Sequence, residues 1–282
     1  MDQFLGIDIG GSGIKGAPVD TANGRLLAER VHIATPMPSR PEALAEVVAS
    51  ISRHFGGSHH IGCTFPGVVM RGVIRSAANL DPAWVGIDAH RLLGHATGRS
   101  VTVINDADAA GLAEMAFGAG RGRSGVVLMI TLGTGIGTAL FMDGQLVPNT
   151  EFGHIEIRGR DAERRASARV RDERHLSWRA WAKRLDEYLE RVEALLNPEL
   201  VIVGGGISAR SDRFLPRLHA QGEVVPAQLQ NEAGIVGAAL HVRAALASGS
   251  RRVPARARAP RPSPAPARRA GRAASSLPPP PP

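Results

Sequence analysis

The chain is poor in several residue types, and each shortage excludes a class of protein. Its 282 residues include a single cysteine, Cys63, which rules out a disulfide framework and a cysteine-based zinc site. No run of about eighteen apolar residues is present, so the sequence predicts no membrane-spanning helix. The first residues lack the basic-then-apolar pattern of a secretion signal. We therefore expect a cytoplasmic protein without a membrane partner.

Aromatic residues and lysines are also scarce. Aromatic residues make up 4% of the chain, so its cores must be packed from Ala, Val, Leu and Ile. Of the 34 basic residues only Lys15 and Lys183 are lysines. A compact ammonium suits a crowded phosphate site better than a broad guanidinium does. Lys15, which lies in a glycine-rich turn, is therefore a candidate phosphate ligand.

The net charge of +8 is concentrated at one end of the chain. Residues 248–282 contain eight arginines, half of the 20 prolines and no acidic residue, which predicts a disordered tail. Without this tail, 26 basic residues balance 26 acidic ones. The remainder lacks the basic excess of a nucleic-acid-binding protein, so we expect no specific nucleic-acid partner. The alternative for the tail is a flexible tether for polyanions.

Two similar glycine-rich turns lie far apart in the chain. The first is LGIDIGGSGIKG at residues 5–16, and the second is ITLGTGIGTA at residues 130–139. Each pattern predicts a strand, a glycine turn, a second strand and a further tight turn. Glycine allows backbone amides to approach a phosphate closely. The two turns predict phosphate binding and a duplicated domain.

Strands and helices alternate along the rest of the chain, which favours an α/β fold. Helical spacing of apolar residues predicts a helix over residues 39–55 capped by Ser39, and a second over 176–196. Trp84, Trp178 and Trp181 are predicted to be core residues.

Polar residues follow the strand VTVIND at residues 101–106. Asn105 and Asp106 stand where this strand ends and a helix begins, the usual place for a ligand in α/β sheets. Asp106 is a candidate base for a substrate hydroxyl, and the alternative is that Asp106 or Asp108 only caps the helix. Beyond the second turn, Glu151, His154 and Glu163 could bind the hydroxyls of a polyol.

Five motifs in this order resemble the ROK family of sugar kinases, within the actin-like ATPase superfamily. They are LGIDIGGSGIKG, NDADAAGLAE, TLGTGIGTA, NTEFGH and VGGGIS, and the resemblance extends over residues 4–247. FPGVV at 65–69, SAANLDPAWVG and LQNEAGIVGAAL are similar to the polyphosphate glucokinases of actinobacteria within that family.

The resemblance implies a role for each matching residue. Asp106 would be the catalytic base, and Asp8 would orient a phosphate-bound Mg²⁺. The implied glucose ligands are Gly67, Asn105, Asp106, Glu151, His154 and Glu163. The implied ligands of the phosphate donor, polyphosphate or ATP, are Asp8, Gly10, Gly11, Ser12, Gly13, Lys15, Thr131, Gly133, Thr134, Gly135, Gly137, Gly204, Gly205 and Gly206.

The resemblance also implies a two-domain actin-like, ribonuclease H-like fold with the active site in the cleft between the domains. The expected division is residues 1–106, with a helix at 231–247 packing back on them, residues 107–230, and the tail at 248–282. Most ROK proteins carry a cysteine-rich zinc loop after the EFGH-like string. This chain has IEIRGRDAE there, so we expect no structural zinc. A homodimer is implied as well.

Three functions stay open at this point. The leading one is transfer of a phosphoryl group from polyphosphate, and also from ATP, to the 6-hydroxyl of glucose. An ATP-only kinase for glucose or mannose would carry the same glycine turns. A non-catalytic sugar sensor shares the fold, but such repressors carry a helix-turn-helix before the first glycine turn, which here begins at residue 5.

Overall fold

The structure is a computed structural model and describes residues 2–57 and 59–250. The predicted tail from residue 251 onwards lies outside the described residues. Within the described part no helix is long and apolar enough to cross a membrane.

A six-stranded mixed sheet forms the first half of the structure. Its central order is β3-β2-β1-β5-β8, and β4 pairs with β2 beside β3. In chain order the elements of this half are β1 (Gln3–Ile9), β2 (Gly13–Asp20), β3 (Arg25–Leu26), β4 (Val31–Ala34), helix α1 (Pro41–Phe55), β5 (His60–Phe65), the separate hairpin of β6 (Val69–Met70) and β7 (Val73–Ile74), helix α2 (Ala89–Thr97) and β8 (Ser100–Asn105).

A five-stranded sheet forms the second half, in the order β11-β10-β9-β14-β15. The elements of this half are helix α3 (Asp106–Phe117), β9 (Val126–Leu132), β10 (Ile136–Met142), β11 (Gln145–Val147), the hairpin of β12 (Glu156–Ile157) and β13 (Arg160–Asp161), helices α4 (Glu163–Ala166), α5 (Ala168–Glu173) and α6 (Trp178–Leu196), β14 (Leu200–Gly204), β15 (Glu223–Pro226) and helix α7 (Ala233–Ser250).

The two sheets share one topology. In each, three antiparallel strands follow one another as a meander, and two later strands add parallel to the first of them. Two parallel strands can be joined only by a crossover connection, which is usually helical. Helical segments therefore precede the parallel strands of each sheet in the sequence. The repeated order is the structural counterpart of the repeated glycine turns.

The core has three parts because both faces of both sheets are covered. Helices α1 and α2 cover the outer face of the first sheet, and α6 covers that of the second. Helices α3 and α7 lie between the sheets, where Ala113 and Val236 share one apolar cluster with Phe4 of β1 and Met129 of β9. Strand β9 shows the division, since Val127 and Met129 face this middle layer while Leu128 and Ile130 face α6.

The predicted cap of the first helix is wrong. Helix α1 begins at Pro41, and its N-cap residue is Arg40, which makes no side-chain cap. The hydroxyl of Ser39 instead accepts the backbone N–H of Asp81 at 2.9 Å, and its carbonyl accepts the indole N–H of Trp84 at 3.0 Å. Ser39 stands one residue before the N-cap position, and its hydroxyl holds the Asp81 loop instead.

The three tryptophans pack into the structure. Trp84 and Trp181 are fully buried, as predicted. Trp178 is half-buried, stacks on Phe214, and carries the guanidinium of Arg171 over its ring at 3.7 Å. The second predicted helix begins at Trp178 behind a Ser177 cap.

Helix α7 runs three residues further than the predicted end at 247. It packs against α3, β1 and β5. A short 3-10 turn at Gln230–Glu232 precedes it, where the sequence predicted the start of the helix. Residues 248–250 are therefore the end of a helix rather than the start of the predicted tail.

Candidate active site

The two glycine turns form matching three-residue hairpin loops. Residues 10–12 connect β1 to β2, and the Gly10 N–H donates to the Gly13 carbonyl at 3.0 Å. Residues 133–135 connect β9 to β10, with the Gly133 N–H donating to the Gly135 carbonyl at 3.1 Å. The predicted strand, turn and strand are thus confirmed twice.

Both loops line one cleft of about 480 Å³. The cleft gathers most of the residues that the sequence singled out. Predicted sugar ligands in its wall are Gly67, Asn105, Asp106, Glu151, His154 and Glu163. Predicted donor ligands in its wall are Gly10, Gly11, Ser12, Thr131, Gly133, Thr134, Gly135, Gly137 and Gly205.

A smaller cavity of about 160 Å³ adjoins the cleft. Four of the five predicted donor ligands that do not line the cleft line this cavity: Asp8, Lys15, Gly204 and Gly206. Asp106, Thr131 and Gly205 line both spaces. Gly13 lines neither, because it is buried at the start of β2 and paired with Ala34 of β4.

Asp106 is the first residue of α3 and stands between the two spaces. Burial raises the pKa of its carboxyl to about 7, and the nearby charges of Asp8 and Glu151 add to this effect. A carboxylate with a pKa near neutrality is a suitable general base. One carboxylate oxygen accepts the Ala107 N–H at 2.9 Å, which leaves the second oxygen for a ligand.

The helix cap is Asn105, not Asp106 or Asp108. The Asn105 side-chain oxygen accepts the Asp108 N–H at 2.9 Å, and its amide nitrogen donates to the Gly67 carbonyl at 3.1 Å. An asparagine amide has two hydrogens, so one remains for a hydroxyl in the cleft. Because Asn105 caps the helix, the Asp106 carboxyl is not needed for that role.

Glu151, His154 and Glu163 form a polar group on one wall of the cleft. The His154 Nε2 lies 3.6 Å from the Glu151 carboxylate, and its Nδ1 lies 3.4 Å from Asp161. Burial raises the pKa of Glu151, partly offset by His154. Glu163 accepts the Ile136 N–H at 3.3 Å, and a side chain at Gly135 would collide with its carboxylate. Glycine in the second turn therefore makes room for Glu163 as well as for a ligand.

The ROK family model matches residues 4–169, more than half of the chain. The chain belongs to the ROK family. A polyphosphate glucokinase of Mycobacterium tuberculosis is 48% identical over 237 residues, which cover 84% of this chain and 89% of that protein.

Two solved structures resemble this ROK chain over most of its length. An inorganic polyphosphate/ATP-glucomannokinase from Arthrobacter sp. strain KM is 51% identical, with a TM-score of 0.85, and the match covers 87% of this chain and 100% of that one. A ROK family glucokinase from Streptomyces griseus, solved in complex with glucose and AMPPNP, is 26% identical with a TM-score of 0.74, covering 86% and 99%. The fold is therefore that of ROK sugar kinases.

Two places in this ROK chain offer ligands for a cation. Asp8 lines the smaller cavity, and its charge raises the pKa of Asp106. Carboxylate oxygens of this kind fit Mg²⁺. His154, Asp161 and Glu163 bring their donor atoms within 4.8 Å of one another. The predicted absence of structural zinc stays a prediction.

Sequence reasoning missed several residues that support the site. Asn79 and Ser76 line the cleft, and Thr64 donates to the Asp8 carboxylate at 2.8 Å while accepting the Ile9 N–H at 2.9 Å. Thr64 directly precedes the FPGVV motif, and Asn79 lies within SAANLDPAWVG, so both lay in or next to segments that carry the resemblance.

Proposed function

We propose that this chain transfers the terminal phosphoryl group of inorganic polyphosphate, and also of ATP, to the 6-hydroxyl of glucose. The observation that carries the proposal is the position of Asp106, which lines both the cleft with its sugar-type ligands and the smaller cavity with its glycines and Lys15. The mycobacterial and Arthrobacter relatives support the choice of donor.

In the proposed reaction the Asp106 carboxylate accepts the proton of the glucose 6-hydroxyl. The hydroxyl oxygen forms a bond to the terminal phosphorus, and the bridging P–O bond of the donor breaks. The products are glucose 6-phosphate and a polyphosphate shortened by one unit, or ADP. The backbone N–H groups of the two glycine turns and the Lys15 ammonium offset the charge on the transferred group.

Asp8 is the residue that would orient Mg²⁺ against the donor. When bound, Mg²⁺ neutralises charge on the phosphates. Glu151, His154 and Glu163 would bind the other sugar hydroxyls and so fix the 6-hydroxyl against Asp106. Orientation of this kind supplies much of the rate in phosphoryl transfer.

The proposal includes four further features. The two sheets are two domains, divided near residue 106, and the cleft lies between them. The protein acts in the cytoplasm and as a homodimer. The sedimentation coefficient of the purified chain tests the dimer.

A donor comparison tests the proposed function. The purified full chain is assayed with glucose, Mg²⁺ and either long-chain polyphosphate or ATP, and glucose 6-phosphate is measured. We expect product from both donors. Product from ATP alone would replace the proposal by an ATP-only hexose kinase, and glucose binding without product from either donor would replace it by a sugar sensor.

A further inference from the structure

Asn149 joins two parts of the chain that are far apart in sequence. Its side-chain oxygen accepts the Val69 N–H at 2.8 Å, and its amide nitrogen donates to the Val69 carbonyl at 3.0 Å. The side chain thus pairs with the backbone of β6 as a neighbouring strand would. Asn149 has a positive φ of 60°, a conformation that asparagine adopts more readily than most residues.

The backbone of Asn149 is held by a buried carboxylate. Its N–H donates to the Asp108 side chain at 2.8 Å, and Asp108 is 1% exposed. The second carboxylate oxygen of Asp108 is buried and has no hydrogen-bond partner among the described residues. Burying a carboxyl group with half of its capacity unused is costly, so an ordinary packing role explains Asp108 poorly.

These bonds close into a ring. Asp108 donates its N–H to the Asn105 side chain, and the Asn105 amide donates to the Gly67 carbonyl. Gly67 is two residues from Val69, where the Asn149 side chain binds. Three segments distant in sequence, around residues 67–69, 105–108 and 149, are therefore tied into one unit, which we call the Asn149 ring.

Each segment of the ring carries a proposed sugar ligand. Asp108 stands two residues after Asp106, and Asn149 two residues before Glu151. Gly67 and Asn105 are themselves members of the ring. Two residues span at most about 7 Å of chain, so the ring leaves these groups little freedom to move relative to one another.

We propose that Asn149 and Asp108 are positioning residues that hold the sugar-binding groups in register with Asp106. This inference rests on the proposed function. Neither residue lines the cleft, so both act through the backbone of their neighbours. The donor-binding turns lie outside the ring, so the effect is specific to the acceptor.

The test is Asn149→Gly, which keeps a backbone suited to positive φ and removes the two bonds to Val69. The matched control is Asn197→Gly, another asparagine at positive φ, which ends α6 away from the cleft. We expect Asn149→Gly to raise the glucose KM roughly tenfold, the effect of about two lost hydrogen bonds, and to lower kcat. The KM for polyphosphate or ATP should stay within about twofold, and the control should match the wild type.

A second variant, Asn149→Asp, keeps the acceptor for the Val69 N–H but sets a carboxylate oxygen against the Val69 carbonyl oxygen. Its glucose KM should therefore also rise above that of the wild type. An unchanged glucose KM in a folded Asn149→Gly protein overturns the inference. An equal rise in both KM values also overturns it, because loosening of the whole structure would explain that result.

Glucose titration without a donor separates this inference from the proposed function. Calorimetry should show weaker glucose binding by Asn149→Gly than by Asn197→Gly, whether or not the protein turns over. Equal affinities overturn the inference alone. A wild-type chain that binds glucose but transfers no phosphate overturns the proposed function alone, and one that binds no glucose overturns both.

Discussion

At the scale of the residue, the surroundings of Asp106 suit the proton transfer proposed for it. Burial is the largest cause of its raised pKa, and the charge of Asp8 comes second. Because Asn105 caps α3, nothing in the helix requires Asp106 to stay ionised. The result is a carboxyl group that changes protonation state near pH 7 rather than near pH 4.

This pKa predicts a pH profile. Glucose phosphorylation should fall as the pH drops below about 7, because the base is then protonated. Asp106→Asn should lower kcat by roughly 100-fold or more while the circular dichroism spectrum stays that of a folded protein. Turnover that is flat between pH 5 and pH 8 would contradict the role of Asp106.

The same pKa shift predicts a change in stability of known sign. The folded chain binds this proton more tightly than the unfolded chain, where an aspartate titrates near pH 4. The stability that Asp106 contributes is thus full below about pH 4 and is lost as the pH rises through about 7. Asp106→Asn should therefore raise Tm relative to the wild type at pH 8. A lower Tm of the variant at this pH would contradict the raised pKa of Asp106.

Residues with local roles could be predicted, and those with distant partners could not. Asp106 and the glycine turns were visible because a strand end and a hairpin are set by a few neighbouring residues. The Asn149 ring depends on contacts 41 and 80 residues apart, which no local pattern records. The Ser39 cap failed for the same reason, since the partner of its hydroxyl lies 42 residues away.

At the scale of the element, α7 and α3 pack unusually closely between the two sheets. The position of Gly237 in α7 leaves no room for a Cβ, which would collide with the Ala109 carbonyl of α3. This contact explains the small-residue composition of both helices. The helix itself was predicted from its sequence, but its place between two sheets was beyond any periodic pattern.

Gly237→Ala tests this packing. Helix propensity alone would make the change stabilising by about 1 kcal/mol, whereas overpacking costs about 1–3 kcal/mol or more. A collision with a helix backbone cannot be relieved by rotating a side chain, so we expect a net loss of stability in urea unfolding. Ala245→Ser, which adds one atom to an exposed position of the same helix, should change stability by less than about 0.5 kcal/mol.

At the scale of the whole molecule, the described residues that line the cleft and the adjoining cavity all lie between positions 8 and 234. The α/β class, the duplication and the placement of the two turns in one cleft followed from the sequence. The order of strands within each sheet did not, because β14 pairs with β9 across about seventy intervening residues and β15 then pairs with β14.

Removal of residues 251–282 should leave the glucose KM and kcat unchanged with either donor, because every lining residue of the described part is kept. Truncation after residue 238 is the matched control, since it also removes Ala239 and Val242 from the middle core layer and should prevent folding. Loss of turnover in a folded 1–250 protein would give the tail a part in the reaction.

The pairing of Lys15 with Asp8 across the first hairpin has a practical consequence. Lys183 is exposed on α6, and Lys15 is half-buried in the small cavity next to the cleft. These are the two lysines of the chain, so one side-chain amine lies in the candidate site and the other lies outside it. If the donor binds at Lys15 as proposed, an amine-directed reagent measures its occupancy as the ratio of labelling at Lys15 to labelling at Lys183.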